Sequence, residues 1–209
     1  PLDVCRLRTH LGIAPQRKVV VYLGLLAEHQ GTGLLLQAAA RVVQQHPETH
    51  FLIMGFPNVE GYFAQAKALG LEHNVSFPGR IPYAETPLYL ALGDVAVSPK
   101  TSATEGAGKL LNYMAMGLPV VSFDTPVARE FLGDDGVFVP LGDVGAFAAA
   151  IIGLLADEGR RAAIGRVLRG RAVREFSWLR MGERIVAVYD TVRGKAKSGS
   201  TIAGDPGLS

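Results

Sequence analysis

From Lys18 onward, short runs of β-branched and apolar residues alternate with longer stretches whose apolar positions recur at helical spacing. VVVYLG (Val19 to Gly24), HFLIMG (His50 to Gly55) and the runs at 75–78, 94–98, 120–123 and 136–139 predict strands. Most are apolar almost throughout rather than at every second position, the pattern of strands covered on both faces. Leu34, Leu35, Ala38, Ala39 and Val42 predict a helix reaching about His46, and a second is expected over 59–69, stopping at Gly70. Further helices are predicted over 84–92 and 106–116, the latter ended by Gly117 and Pro119 as helix termini usually are. The C-terminal third reads as three helices: 143–156 capped by Asp143, 159–176, and 178–192 after Ser177 as N-cap. Strands alternating with helices predict right-handed βαβ units, hence an α/β fold with a parallel sheet and helices on both faces.

The boundaries follow from the same pattern. Residues 1–17 form a leading segment, 18–176 the α/β domain, 177–194 a closing helix, and 195–209 a Gly-, Ser-, Lys- and Pro-containing tail unable to build a core. The chain has 209 residues and opens on Pro1 with no initiator methionine, which reads as a piece of a longer protein. Mean hydropathy is positive, at +0.22, in keeping with doubly covered strands. A formal charge of +2 argues against a nucleic-acid surface. The single cysteine, Cys5, excludes an internal disulfide and fits a reducing cytoplasm; no surrounding charge pattern marks it as a nucleophile. No apolar run is long enough to span a bilayer, and the N-terminal residues lack a signal-peptide core.

In open parallel sheets ligands bind beyond the carboxyl ends of the strands, which draws attention to two loops. One is Gly24-Leu-Leu-Ala-Glu-His-Gln-Gly-Thr-Gly33. The other is Ser98-Pro-Lys-Thr-Ser-Ala-Thr-Glu-Gly-Ala-Gly-Lys109. Small residues in the second loop let main-chain amides approach a ligand closely, and Lys109 falls in the first turn of a helix, where a cation is unfavourable unless an anion offsets it. With Lys100 it makes a plausible seat for a diphosphate; an ordinary solvated loop explains the spacing equally well. Gly31-Thr-Gly33 lacks the third glycine of a dinucleotide fingerprint, and Lys109 is followed by Leu110 rather than the Ser or Thr of a P-loop. No His, Asp or Glu cluster has metal-ligand spacing, so no metal or cofactor is expected.

At these residues the chain resembles the C-terminal domain of family 4 retaining glycosyltransferases. The resemblance runs from Pro1 to Tyr189 through a strand ending in Gly24, FLIMG, VSFPGRIP, DVAVSPK, an EG-containing loop, YMAMGLPVVSFD, VFVPLGD and FSW, in that order. It implies one Rossmann-like lobe of a two-lobed GT-B fold that binds a nucleoside diphosphate sugar and transfers the sugar, with retention, to a hydroxyl acceptor held by an N-terminal lobe absent from this sequence. Such a half is expected to bind donor but turn over little.

The resemblance also implies residue roles. Glu105 would contact the donor sugar, Asn112 the ribose, Arg80 and Ile81 the base, and the amides of Gly106, Ala107 and Gly108 the diphosphate. Glu105 and Lys109 are the candidate catalytic residues, with Gly24, Arg80, Ile81, Lys100, Thr104, Gly106, Ala107, Gly108 and Asn112 as substrate-binding candidates. Departures accompany it. The family usually has two glutamates with seven residues between; here Glu105 and Asn112 enclose six, 106 to 111, and the second is an amide. Leu25 and Gln30 stand where the family carries an Arg and a Lys on the diphosphate, which leaves that charge to Lys100 and Lys109. His29 reads as a solvated loop residue, with approach to the donor from the first loop as the sharper alternative, and His10, His46, His50 and His73 as surface or strand-edge residues. Arg160, Arg161, Arg166, Arg169, Arg171 and Arg174 read as a basic helix face, with peripheral membrane contact as the sharper alternative. A catalytically inactive nucleotide-binding or interaction module is the competing function, and a sugar-nucleotide epimerase a third.

Overall fold

A computed structural model describes residues 3–102 and 105–198. Helix α1 (Val4–His10) leads into strand β1 (Lys18–Leu23), followed by α2 (Thr32–Gln45), β2 (Thr49–Met54), α3 (Val59–Ala68), β3 (Val75–Gly79), α4 (Thr86–Leu90) and β4 (Val95–Ser98). Then come α5 (Lys109–Ala115), β5 (Val120–Phe123), α6 (Pro126–Leu132), β6 (Val137–Val139), α7 (Val144–Ala156), α8 (Glu158–Phe176) and α9 (Trp178–Ser198). The six strands form one sheet in the order β3-β2-β1-β4-β5-β6. Every pairing is parallel, with Val20 opposite Phe51 on one side and Val95 on the other.

Alternate residues of each strand divide between two apolar layers, as the two-residue repeat of a strand requires. Val20, Tyr22, Phe51, Ile53, Val95, Val97, Val121 and Phe123 face α2, α3 and α7. Val19, Val21, Leu52, Met54, Ala96 and Val120 face α1, α4, α5, α6 and α8. Each fully buried Val, Leu or Phe contributes about 1.5–3 kcal/mol, so neither face tolerates a polar register. The continuous apolar runs of the sequence are the two half-patterns interleaved.

Several expectations need adjustment. Helix α5 starts at Lys109, three residues later than the 106–116 pattern predicts, with Gly108 as its N-cap. The amides of Gly106 to Gly108 therefore belong to the loop. The segment expected as a helix over 84–92 is a short 3₁₀ turn, Tyr83–Glu85, followed by the five-residue α4. Helices α1 and α6 had not been anticipated, although Thr125 caps α6 and Pro126 opens it. Asp143 and Asp157 accept from the amides of Ala146 and Arg160 as N-caps. Helix α9 continues past residue 194, to Ser198.

His50 is neither surface nor strand-edge. It is buried within β2, between β1 and β3, with Nε2 2.9 Å from Ser76 Oγ. Burial, reinforced by the positive charges of Arg17 and Arg8, pushes its pKa down to about 4. The arginines of α8 also divide. Arg161 is buried and donates to the carbonyls of Leu154 and Leu155, closing the end of α7. Arg171 donates to Phe131 and Glu130 carbonyls. Only Arg160, Arg166, Arg169 and Arg174 lie exposed. No helix among the described residues is long and apolar enough to cross a membrane.

Candidate functional site

Chain connections from β1 run through β2 to β3 on one side, and from β4 through β5 to β6 on the other. The sheet order therefore reverses between β1 and β4, the place where open parallel sheets bind ligands, and the loops leaving these two strands lie there at the carboxyl ends. These are the two loops singled out in the sequence.

They are locked to each other by main-chain geometry. Gly31 takes a left-handed φ of 75°, and a Cβ there would lie 1.8 Å from the carbonyl oxygen of Pro99. Only glycine fits that position. Beside it, the Thr101 amide and hydroxyl both donate to the His29 carbonyl at 3.2 Å. Helix α5 is anchored under the end of β1 by buried Tyr113, whose hydroxyl accepts from the Leu23 amide at 2.7 Å. Lys109 lies one turn earlier on the same helix face. It is thereby directed over Gly24, whose absent side chain leaves room: a Cβ there would be 3.0 Å from Lys109 Nζ.

The Lys109 ammonium lies 4.5 Å from the centre of the Tyr22 ring, on its face, and donates to Gln30 Oε1 at 3.1 Å. Burial, then the nearby positive charge of Lys100, drive its pKa down to about 7, with Glu105 opposing the shift. Gln30 itself is buried, and its Nε2 donates to Glu105 Oε2 at 3.0 Å. The same carboxylate oxygen lies 3.3 Å from Lys100 Nζ and 3.8 Å from His29 Nε2. Among the described residues no hydrogen bond is made to Glu105 Oε1, and Glu105 is about half exposed, 51% by side chain. Lys100 is buried, and its ammonium also donates to the carbonyls of Glu105 and Gly106. It clamps the loop from within.

The other sequence candidates lie around this chain of contacts. Gly106 and Gly108 are exposed, Ala107 is buried, and among the described residues none of their three amides finds an acceptor. Asn112 makes no side-chain hydrogen bond within the described residues and lines a cleft of about 220 Å³ with Tyr83, Thr86, Pro87, Leu90, Ala115 and Met116. This cleft is lined by the later residues of α5 and not by Lys109, Gln30 or Glu105, so it does not coincide with the charged network. Arg80 is exposed, stacked 5.1 Å over the Phe56 ring, and Ile81 packs on the core beneath. Leu25 is exposed, and only its carbonyl joins the network, accepting from the Tyr22 hydroxyl at 2.7 Å. Thr104 lies outside the described residues. Gln30 and Tyr22 were not among the site candidates; Gln30 entered the sequence reading only as a missing cation. No group of three or more His, Cys, Asp or Glu side chains among the described residues is arranged to hold a metal ion.

Comparison with known proteins places this geometry in context. A family model described as glycosyl transferases group 1 matches residues 17–157, more than half of the chain. The chain belongs to that family. Phosphatidyl-myo-inositol mannosyltransferase of Mycobacterium leprae is 32% identical over 195 residues, covering 88% of this chain and 49% of that protein. A GDP-mannose-dependent alpha-(1-6)-phosphatidylinositol monomannoside mannosyltransferase of Mycolicibacterium smegmatis is 33% identical over 191 residues, covering 86% and 49%. This group 1 glycosyl transferase chain thus spans about half the length of the curated relatives it matches. In fold it is similar to Anabaena HepE solved with UDP and glucose, with a TM-score of 0.82 at 24% identity over 91% of this chain and 53% of that one. A glycosyltransferase from Rickettsia africae gives the same TM-score, 0.82, at 14% identity over 90% and 51%. The sheet accordingly has the Rossmann-like α/β fold that these solved structures share.

Proposed function

We propose that this chain is the donor-binding half of a retaining glycosyltransferase, which takes a nucleoside diphosphate sugar at the switch point between β1 and β4 and passes the sugar to a hydroxyl acceptor held by another lobe of the whole protein. The observation that carries this reading is the half-buried Lys109 ammonium, which lies at the switch point over Gly24 and the Tyr22 ring and makes no ion pair with a carboxylate among the described residues. A desolvated cation without a counter-ion is unfavourable, and a diphosphate supplies the missing charge. The amides of Gly106, Ala107 and Gly108, which find no acceptor among the described residues, add donors to the same anion.

Glu105 presents one carboxylate oxygen outward for donor sugar hydroxyls, and the Asn112 carboxamide is available to the ribose. Arg80 and Ile81 flank the base. Lys100 supports the loop rather than touching the ligand. As the bond to the sugar breaks, charge accumulates on the departing diphosphate, and Lys109 with the loop amides stabilises it. Transfer needs the acceptor to be closed against the donor, so this half binds and turns over little. That HepE was solved with UDP and glucose, and that relatives use GDP-mannose, supports a nucleotide-sugar donor while leaving base and sugar open. The inactive-module reading is favoured by Leu25 and Gln30, which remove the two cations usual in the family; measured transfer by the whole protein separates the two.

Calorimetric titration of this chain with UDP, GDP and ADP and their sugar conjugates tests the proposal. Binding of at least one, with Lys109→Ala weakening it about 10- to 100-fold, supports it, since a charged hydrogen bond contributes roughly 1.5–3 kcal/mol. Failure of all to bind overturns it.

A further inference from the structure

Gln30 is the pivot of the charged network, and its environment fixes what it does there. Its carboxamide is 8% exposed. The oxygen accepts from Lys109 Nζ at 3.1 Å and the nitrogen donates to Glu105 Oε2 at 3.0 Å. Only this orientation is chemically consistent, because a flipped amide would set donor against ammonium and acceptor against carboxylate. The backbone at this point has no freedom either: Gly31, next in the chain, is seated under the Pro99 carbonyl, and the His29 carbonyl before it accepts from Thr101. A neutral side chain of fixed length thus stands between the Lys109 cation and the Glu105 carboxylate, whose own ion pair is with Lys100.

We infer that Gln30 is a positioning residue: it holds the Lys109 ammonium and the Glu105 carboxylate apart at a set spacing, so that a single nucleoside diphosphate sugar engages both, diphosphate on the one and sugar on the other. This inference rests on the donor-site reading above. On it, the glutamine is a spacer that keeps Lys109 available to an anion and turns Glu105 Oε1 toward the sugar. The bare diphosphate depends on the Lys109 end of the spacer, and only the sugar conjugate depends on both ends.

The test is the ratio of the dissociation constants for UDP and UDP-glucose, and for GDP and GDP-mannose, by calorimetry on the full chain. It is applied to the unsubstituted protein, Gln30→Met, Gln30→Glu, Glu105→Gln and the Gln30→Met/Glu105→Gln pair, with urea unfolding to confirm that each is folded. Gln30→Met keeps length but loses both hydrogen bonds; Gln30→Glu keeps the contact to Lys109 and repels Glu105, so it reports even if Gln30→Met fails to fold. The expected result is a change of about tenfold in the ratio for either Gln30 variant, weakening the sugar conjugate more than the diphosphate, and no further change in the ratio when Gln30→Met is added to Glu105→Gln. A purely structural glutamine would weaken both ligands equally. An unchanged ratio, or effects of Gln30→Met and Glu105→Gln that simply add, overturns the inference alone. No binding of any nucleotide by the unsubstituted protein overturns the donor-site reading itself.

Discussion

The loop after β4 carries a lysine at each end, and the two are used in opposite ways. Lys100 is buried among acceptors: the carbonyls of Glu105 and Gly106 and a carboxylate oxygen 3.3 Å away. Lys109 is only half-buried and meets a neutral amide oxygen and the face of an aromatic ring. One ammonium is met by two carbonyls and a carboxylate, while the other, among the described residues, has no ion pair to a carboxylate. Structure is served by the first and ligand by the second, although the sequence offers both as the same residue in the same glycine-rich loop.

The sharpest way to break this comparison is to unlock the loops that create it. Gly31→Ala drives a methyl group into the Pro99 carbonyl at a left-handed φ, and should cost about 3 kcal/mol or more in urea unfolding, with loss of nucleotide binding. Next comes Lys100→Met, which leaves two loop carbonyls and Glu105 without their cation. It should lower stability by about 2–3 kcal/mol, with weaker binding as a consequence. Lys109→Met should do the reverse, leaving stability within about 0.5 kcal/mol of the original, because a desolvated charge is removed, while diphosphate affinity falls about 10- to 100-fold. If both lysine variants lost stability equally, the distinction between staple and ligand would fail.

Titration sharpens the contrast. The Lys109 pKa is depressed to about 7 in the folded chain from 10.5. Between these values the unfolded state binds more protons, so this group's penalty on stability is absent above about pH 10.5, grows as pH falls toward 7, and makes stability rise with pH across that window. An anion favours the charged form, so diphosphate affinity should be greatest below about pH 7 and fall as pH rises above it, by at most about tenfold per unit. Lys109→Met should flatten both dependences. The smallest effect is expected at Asn112, which lies outside the network: Asn112→Glu should tighten nucleotide binding only a few-fold, by a charged hydrogen bond to ribose hydroxyls.

Much of the fold was legible because strands covered on both faces must be apolar throughout, and all six strands appear in the residue pattern. Helix α6 was missed because seven residues are too few for helical periodicity to register, although Thr125 and Pro126 mark its start. The start of α5 was misplaced because Gly106, Ala107 and Gly108 are neutral between loop and helix, and tertiary anchoring by Tyr113 decides it. At the site, residue types marked the right two loops but not the direction of any side chain. His50 looks like a strand-edge residue until its neighbours Ser76 and Arg17 arrive from other segments. Gln30 reads as a lost cation in the chain and becomes a bridge only when Lys109 and Glu105 are brought to it at the switch point.

Proton uptake on ligand binding probes the charge at Lys109 most directly. Calorimetry with a nucleoside diphosphate at pH 8, in two buffers of different ionisation enthalpy, should show net proton uptake by this chain, and none when Lys109 is replaced by methionine. Binding with no proton uptake, or uptake that persists unchanged in Lys109→Met, would contradict the claim that a desolvated lysine at the switch point awaits the diphosphate.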